Sequence, residues 1–527
     1  MSGLEGSPVT DYDYVITGGG TAGCVLAARL SEDPGTRVLL LEAGCAEPVA
    51  AMMVPDAWPG LVGSPADWGG TTVAQAGAGP LPYPRGRGLG GSGAINAMAH
   101  VRGHRAVYDA WAVGGAAGWG YADLLPYFKR SEHAEGRDPA LRGTGGPVRV
   151  APVPETSRHP AAQALAEALC ALGCPVTGDL SGSRQEGVAW PDLAIWEGRR
   201  VSPADAYLLP AMGRPNLTVL DGCLVTRLLI RDGRCTGAGY TRDGAPEQAR
   251  ASAEVIVCAG AIGSPQLLML SGIGPAGDLR GLGIDPVADL PGTGAGLQDH
   301  PVAMASYACA VPLPRSRYNH GETYASVRSP LAGAWPDLQL FPVLLPVAPP
   351  GYPAPVGGFA LVASVVSPDS RGSVRLASAS PAAAPLIDPG VLREPADLDR
   401  LAAGLTLIRS AAAGTGFARL GVTEAHPGPG TGAGELRAWV RRTAGSYYHP
   451  AGTCRIGPDT DGGAVVDPQL RVRGIDGLRV ADASVIPVIP NAPLHATVLA
   501  IAERAADLIT GRQAAALTQL QAASTDR

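Results

Sequence analysis

Lysine is nearly missing from this chain: Lys129 is the one lysine among 41 basic residues. The positive charge therefore rests on arginine, and the abundance of Ala, Gly and Pro around it has the stamp of a GC-rich genome. Charge of either sign is scarce. Charged residues make up 17 % of the chain, against about 25 % in an average soluble domain. The net charge is −6, which argues against the basic footprint of a nucleic-acid binder. Cysteine is sparse too, with nine scattered in 527 residues and no C-x-x-C pair. That spacing argues against a disulfide framework and a structural zinc site, so no metal is expected. No run of about 18 apolar residues occurs, which argues against a membrane span. The start, Met1 to Val15, shows neither the basic nor the apolar region of a signal peptide. The expectation is a soluble, cytoplasmic protein whose oligomeric state the sequence leaves open.

What is present is apolar and rich in turns. Hydrophobic residues reach 46 %, alongside 72 glycines and 49 prolines, with no G-X-Y period. The pattern predicts a mixed α/β (α+β) fold. Tyr14 to Thr17 is a short apolar run, a helical pattern follows through Leu30, and Val38 to Leu41 reads as a buried parallel strand. Together they predict a βαβ unit. Further strands are expected at Leu217 to Leu220, Val225 to Arg231, Gly237 to Tyr240, Glu254 to Cys258 and Leu478 to Val480. Alternating segments at Asp337 to Val343, Gly358 to Val366 and Gly372 to Ala377 suggest an antiparallel sheet. Helices are expected at 159–172, Asp397 to Ala413 and 496–510.

Between the first strand and its helix lies Gly18-Gly19-Gly20-Thr21-Ala22-Gly23, and Glu42 closes the next strand. That is the setting a dinucleotide fingerprint requires. Gly18 permits the tight turn, Gly20 lets backbone approach pyrophosphate, and Gly23 lets helix and strand pack closely. The helix N-terminus offers free N–H groups, and Glu42 suits the ribose hydroxyls. The motif fits FAD and NAD alike.

Four more segments narrow the choice. They are Arg85-Gly86-Arg87-Gly88-Leu89-Gly90-Gly91-Ser92-Gly93-Ala94-Ile95-Asn96, Gly260 to Gly274, Tyr448-His449-Pro450-Ala451-Gly452-Thr453-Cys454, and Val480-Ala481-Asp482-Ala483-Ser484. With the fingerprint they resemble the glucose–methanol–choline (GMC) family of FAD-dependent oxidoreductases, most of all its choline- and alcohol-dehydrogenase-like branch. The resemblance covers residues 11–511. It implies a Rossmann-like, p-hydroxybenzoate-hydroxylase-like FAD-binding domain and a second domain whose antiparallel sheet roofs the flavin. The first is expected from 11–150, 215–300 and 445–511, the second from 151–214 and 301–444, with flexible termini at 1–10 and 512–527. By resemblance, Arg87, Gly90, Gly91, Ser92 and Asn96 would line pyrophosphate and flavin. Val225 would meet adenine through its backbone, although its side chain also suits a core strand. Asp482, with Ala483, resembles the pyrophosphate-contacting acid, although it also suits a helix cap. Ile95 stands where some relatives carry a flavin-linking histidine, so FAD should be non-covalent.

Removing the O–H proton of an alcohol while its hydride leaves calls for a base, and imidazole suits the task. Of nine histidines, His449 matches the family's catalytic base. Tyr447 and Tyr448 flank it. His300, in Gln298-Asp299-His300-Pro301, matches a family segment between the domains and reads as structural. The second catalytic position of the family falls on Pro493, which can neither accept nor donate a proton. His495 and Asn491 are the polar candidates left in that loop, His495 the favoured one. The resemblance thus implies oxidation of a CH–OH group, with oxygen or another electron acceptor as the second partner. The apolar stretch 336–366 favours an apolar or aromatic alcohol. Pro493 leaves open an atypical member, such as a lyase.

Overall fold

The computed structural model describes residues 11–75 and 77–511; the expected flexible arms at 1–10 and 512–527 lie outside them. Asp11–Thr17 runs parallel to Val38–Leu41, which in turn runs parallel to Leu217–Leu220. Four consecutive apolar residues in Val38–Leu41 are all buried, as a strand covered on both faces requires. On the other side of Asp11–Thr17 lies the long strand Ala245–Val257. Its second half also carries Leu478–Val480 in parallel, and its first half pairs antiparallel with Arg234–Arg242, which pairs with the edge strand Leu224–Arg231. Thr21–Leu30 packs against the last helix, His495–Thr510.

A second sheet is antiparallel throughout. Its order is Val422–His426, Pro301–Cys309, Phe359–Val365, Leu338–Val343, Tyr324–Val327 and Gly187–Ala189. Period-two alternation gives it two apolar faces. Ala303, Ala305, Leu338, Leu340, Leu361 and Ala363 join the core beneath the helices Pro395–Ala412 and Pro160–Ala171. Val302, Met304, Phe341, Val343 and Val362 point the other way, into a smaller cluster with Tyr324, Tyr447, Ala99 and Ala492. That second face packs against Ala99, a few residues past the second glycine-rich segment, and Tyr447, two residues before His449.

The packing departs from the expected division at two places. Ala204, Tyr207, Leu208 and Ala211, expected in the second unit, join the first core beside Thr21–Leu30. Gly445–Ser446, expected in the first, pairs with Pro301 and Val302 of the second sheet. Both cores are apolar and both boundaries lie in loops, so composition gives no signal of the change. Among the described residues no helix is long and apolar enough to cross a membrane.

Candidate active site

The fingerprint turn and the loop against it admit only glycine at three points. Gly18 has φ +104°, and a Cβ there would meet the Cys258 carbonyl oxygen at 2.6 Å. A Cβ on Gly23 would lie 1.9 Å from the Gly18 carbonyl oxygen. Gly91, at φ +52°, stands so close to Gly20 that a Cβ would reach its Cα at 2.7 Å. The second glycine loop is thus laid on the first, and Gly90 N donates to Gly19 O at 2.8 Å. Thr21 and Ala22 open the helix behind this seam, and Ser92 Oγ accepts from Gly86 N at 3.1 Å. Glu42 ties the loops together. Its carboxylate accepts from the backbone N–H groups of Gly19, Gly44 and Gly88 at 2.7, 2.8 and 2.9 Å. A carboxylate has about four acceptor sites, which leaves one for a ribose hydroxyl.

Other expected cofactor residues divide by where the structure puts them. Asn96 Oδ1 accepts from Met98 N at 2.9 Å and from Arg200 Nη1 at 2.8 Å. Arg200 is buried, which lowers its pKa to about 10, and its Nη2 has no partner. Val225 lies on the edge strand, whose outer backbone edge pairs with no strand among the described residues. Arg87 turns its exposed side chain over Trp68, 5.0 Å from the ring centre. Asp482 caps the short turn Ala483–Val485. It accepts from Ser484 N, Gly260 N and Ser264 Oγ at 2.8, 2.8 and 2.5 Å, and burial raises its pKa. Ala483 O receives Gly452 N at 3.2 Å, which places the His449 turn beside this cap.

His449 sits in a turn held from several sides. Asp299 is the hub. Its Oδ1 accepts from the backbone N–H groups of His300 and His449, both at 2.8 Å. Its Oδ2 accepts from Tyr83 Oη at 2.7 Å and from Ser446 Oγ. Tyr448 adopts φ +64°, a left-handed conformation unusual for an aromatic residue. Ser446 Oγ receives its N–H at 2.7 Å and Arg85 Nη2 donates to its carbonyl at 2.6 Å. Such strain persists only where the surroundings over-determine it. Arg85 begins the second glycine loop, so the loop and the histidine turn share one guanidinium. The Tyr447 ring lies 4.3 Å from His449 and stacks on Phe341 at 4.8 Å.

The imidazole itself meets a second one: His449 Nδ1 and His300 Nδ1 are 3.0 Å apart. His449 Nε2 has no hydrogen bond to any described residue. Burial first, then His300 and Arg85, push the His449 pKa well below the usual imidazole value. The two loop candidates separate clearly. Asn491 Oδ1 accepts from His104 N at 2.6 Å and its Nδ2 donates to Pro336 O at 2.9 Å. Each end of the amide thus holds one backbone group, which clamps the loop, with one lone pair and one N–H left over. His495 is 9 % exposed, and neither ring nitrogen has a partner. Buried polar atoms are ordinarily satisfied, so these nitrogens, with Arg200 Nη2, mark a place built for a polar ligand. The glycine cradle and these unsatisfied atoms fit a dinucleotide carrying a polar ring system. His495 and His449 make no contact with each other; His495 instead meets His100 edge-on, ring centres 6.1 Å apart.

Two models of GMC oxidoreductases match the chain, over residues 12–302 and 368–502. The chain belongs to the GMC oxidoreductases. Mitochondrial choline dehydrogenase of Homo sapiens is 39 % identical, the match covering 96 % of this chain and 90 % of that protein. Oxygen-dependent choline dehydrogenase of Sinorhizobium medicae is 39 % identical over 95 % of this chain and 96 % of its own. The crystal structure of pyridoxine 4-oxidase from Mesorbium loti superimposes with a TM-score of 0.89 at 37 % identity, over 94 % of this chain and 98 % of that one. The GMC chain is an FAD-dependent enzyme, and its mixed α/β architecture is that of the family. Three parts of its site escaped the sequence reading: the Asp299 hub, the Arg85 bridge and the Arg200 hold on Asn96. The Gln298-Asp299-His300-Pro301 motif was the only signal of the first. No local pattern marks the other two, because each joins segments more than 100 residues apart.

Proposed function

We propose that this enzyme oxidises a CH–OH group of an apolar or aromatic alcohol, with His449 as the general base. The observation that carries the reading is the His449 ring. It is fixed through its backbone by Asp299 and at Nδ1 by His300, and its Nε2 is unbonded beside an aromatic wall. FAD, when bound in the glycine cradle, supplies the hydride acceptor. His449 Nε2 takes the hydroxyl proton. His495, unbonded at the start of the last helix, is the proposed second polar group of the reaction, in place of Pro493. Val302, Met304, Phe341, Val343, Tyr324 and Tyr447 offer carbon and phenol surface, and none of them carries a charge at neutral pH. That wall suits a neutral aromatic alcohol, of which pyridoxine is one example; choline, a quaternary ammonium alcohol, would find aromatic faces there but no carboxylate among these six side chains.

The test is anaerobic flavin reduction against a panel of benzylic alcohols, pyridoxine, choline and sugars. Aromatic alcohols are expected to bleach the flavin fastest, and fastest bleaching by choline would refute the specificity. His449→Ala is expected to slow the reduction about 10²–10⁴-fold, the scale of general-base catalysis, with FAD retained. No bleaching by any alcohol would favour the lyase-like alternative that Pro493 raises. Ile95 cannot form the histidyl–flavin bond, so acid precipitation is expected to release FAD into the supernatant. Flavin remaining with the pellet would contradict that.

A further inference from the structure

We infer that His300 is a positioning residue that sets the tautomer of His449, keeping the hydrogen on Nδ1 and leaving Nε2 bare. The inference rests on His449 being the base. The two rings meet at right angles, centroids 5.1 Å apart, with Nδ1 facing Nδ1 at 3.0 Å. Between two neutral imidazoles such a contact needs one donor and one acceptor. If His300 donates, His449 must carry its hydrogen on Nε2 and has no lone pair for substrate. If His449 donates, its Nε2 is the lone pair that accepts the hydroxyl proton.

The far side of His300 decides between the two. Its ring is fully buried, and the backbone carbonyls of Pro490 and Val366 face it. Carbonyl oxygens only accept. Nε2 has no hydrogen-bond partner; with Nδ1 engaged by His449, it is the nitrogen left to turn an N–H toward these carbonyls, the form acceptors favour. With the hydrogen on Nε2, His300 presents a lone pair at Nδ1, and His449 must donate to it. Burial also keeps His300 neutral, with a pKa of about 3, so it does not take the proton from its neighbour. When His449 gains a proton at Nε2, its Nδ1–H stays where it was. The bond to His300 then becomes charge-assisted and stronger. The hydrogen bond at one ring nitrogen thereby fixes the state of the other.

The test is the ¹⁵N spectrum of the holoenzyme labelled at histidine, with the His449 signals identified by their loss in His449→Ala. A pyrrole-type Nδ1 and a pyridine-type Nε2 are expected at neutral pH. The reverse pattern in the wild-type protein overturns the inference. His300→Leu is expected to release the tautomer and slow flavin reduction at least about tenfold, less than the loss on removing the base, with FAD content unchanged. His300→Asn, whose Oδ1 can accept the same hydrogen, is expected to keep both the tautomer and most of the rate. A leucine variant with wild-type tautomer and rate overturns the inference. If that variant does not fold, the wild-type spectrum decides alone. A wild-type reduction rate in His449→Ala would refute the base itself, an outcome the tautomer measurement does not depend on.

Discussion

Burial holds three imidazoles of the site uncharged, His300 and His495 with pKa values of about 3 and His449 well below its usual value. In the unfolded chain each returns to about 6.5. Below that pH the unfolded state binds more protons than the native one, so stability is full above pH 6.5 and falls as pH drops toward the folded values. Each such group removes up to about 1.4 kcal/mol per pH unit in that window. The holoenzyme is therefore expected to melt progressively lower from pH 7 to pH 5, and His495→Gln is expected to make that slope shallower. An identical slope in the variant would contradict the assignment. The same residue tests the loop: His495→Ala is expected to slow flavin reduction about 10²-fold, the usual loss of one transition-state donor. Asn491→Ala should instead lower the melting temperature, because it strips the loop of two backbone contacts. The reverse ranking in rate would return the second role to Asn491. The sequence singled out His449, our proposed base, because its whole motif is local. It favoured His495 over Asn491 but could not show what distant backbone reaches each of them.

The elements that were legible are those whose residues are sorted by burial. Val38–Leu41, Leu217–Leu220 and Leu478–Val480 appear where the apolar runs put them. Ala245–Val257 was expected only from Glu254, because its first half, Ala245–Arg250, is largely polar and partly exposed. There the strand is held by its ladder to Arg234–Arg242, and backbone pairing leaves no apolar period to read. Pro301–Cys309 escaped a specific assignment although it is the spine of the second sheet. The glycine loops make an element-level prediction of their own. In Gly91→Ala the new methyl meets the Gly20 backbone at a positive φ, so the two loops must part. The purified variant is expected to carry much less FAD than wild type by absorbance, while its far-ultraviolet circular dichroism stays near native. Full FAD content would show that the seam yields without harm.

At the scale of the whole molecule, the family and its cofactor were legible because five motifs stand in order along the chain. The division into two units remains our proposal, with the two exchanges that the packing of Ala204–Ala211 and Gly445–Ser446 requires. What no local pattern could show is how far apart the partners of one site lie. Arg85 meets Tyr448, Thr21–Leu30 lies on the last helix, and Arg29 pairs with Glu503 at 2.8 Å. This closure across the chain has a consequence for synthesis. The first βαβ unit emerges early from the ribosome but lacks the strands Leu217–Leu220 and Ala245–Val257 that flank it and the helix His495–Thr510 that packs on its helix. At about 5–20 residues per second it waits on the order of tens of seconds for them, its apolar faces exposed. A chain stopped before Leu478 is therefore expected to be insoluble and colourless rather than a smaller flavoprotein, and a soluble yellow fragment would show that the nascent unit can close by itself.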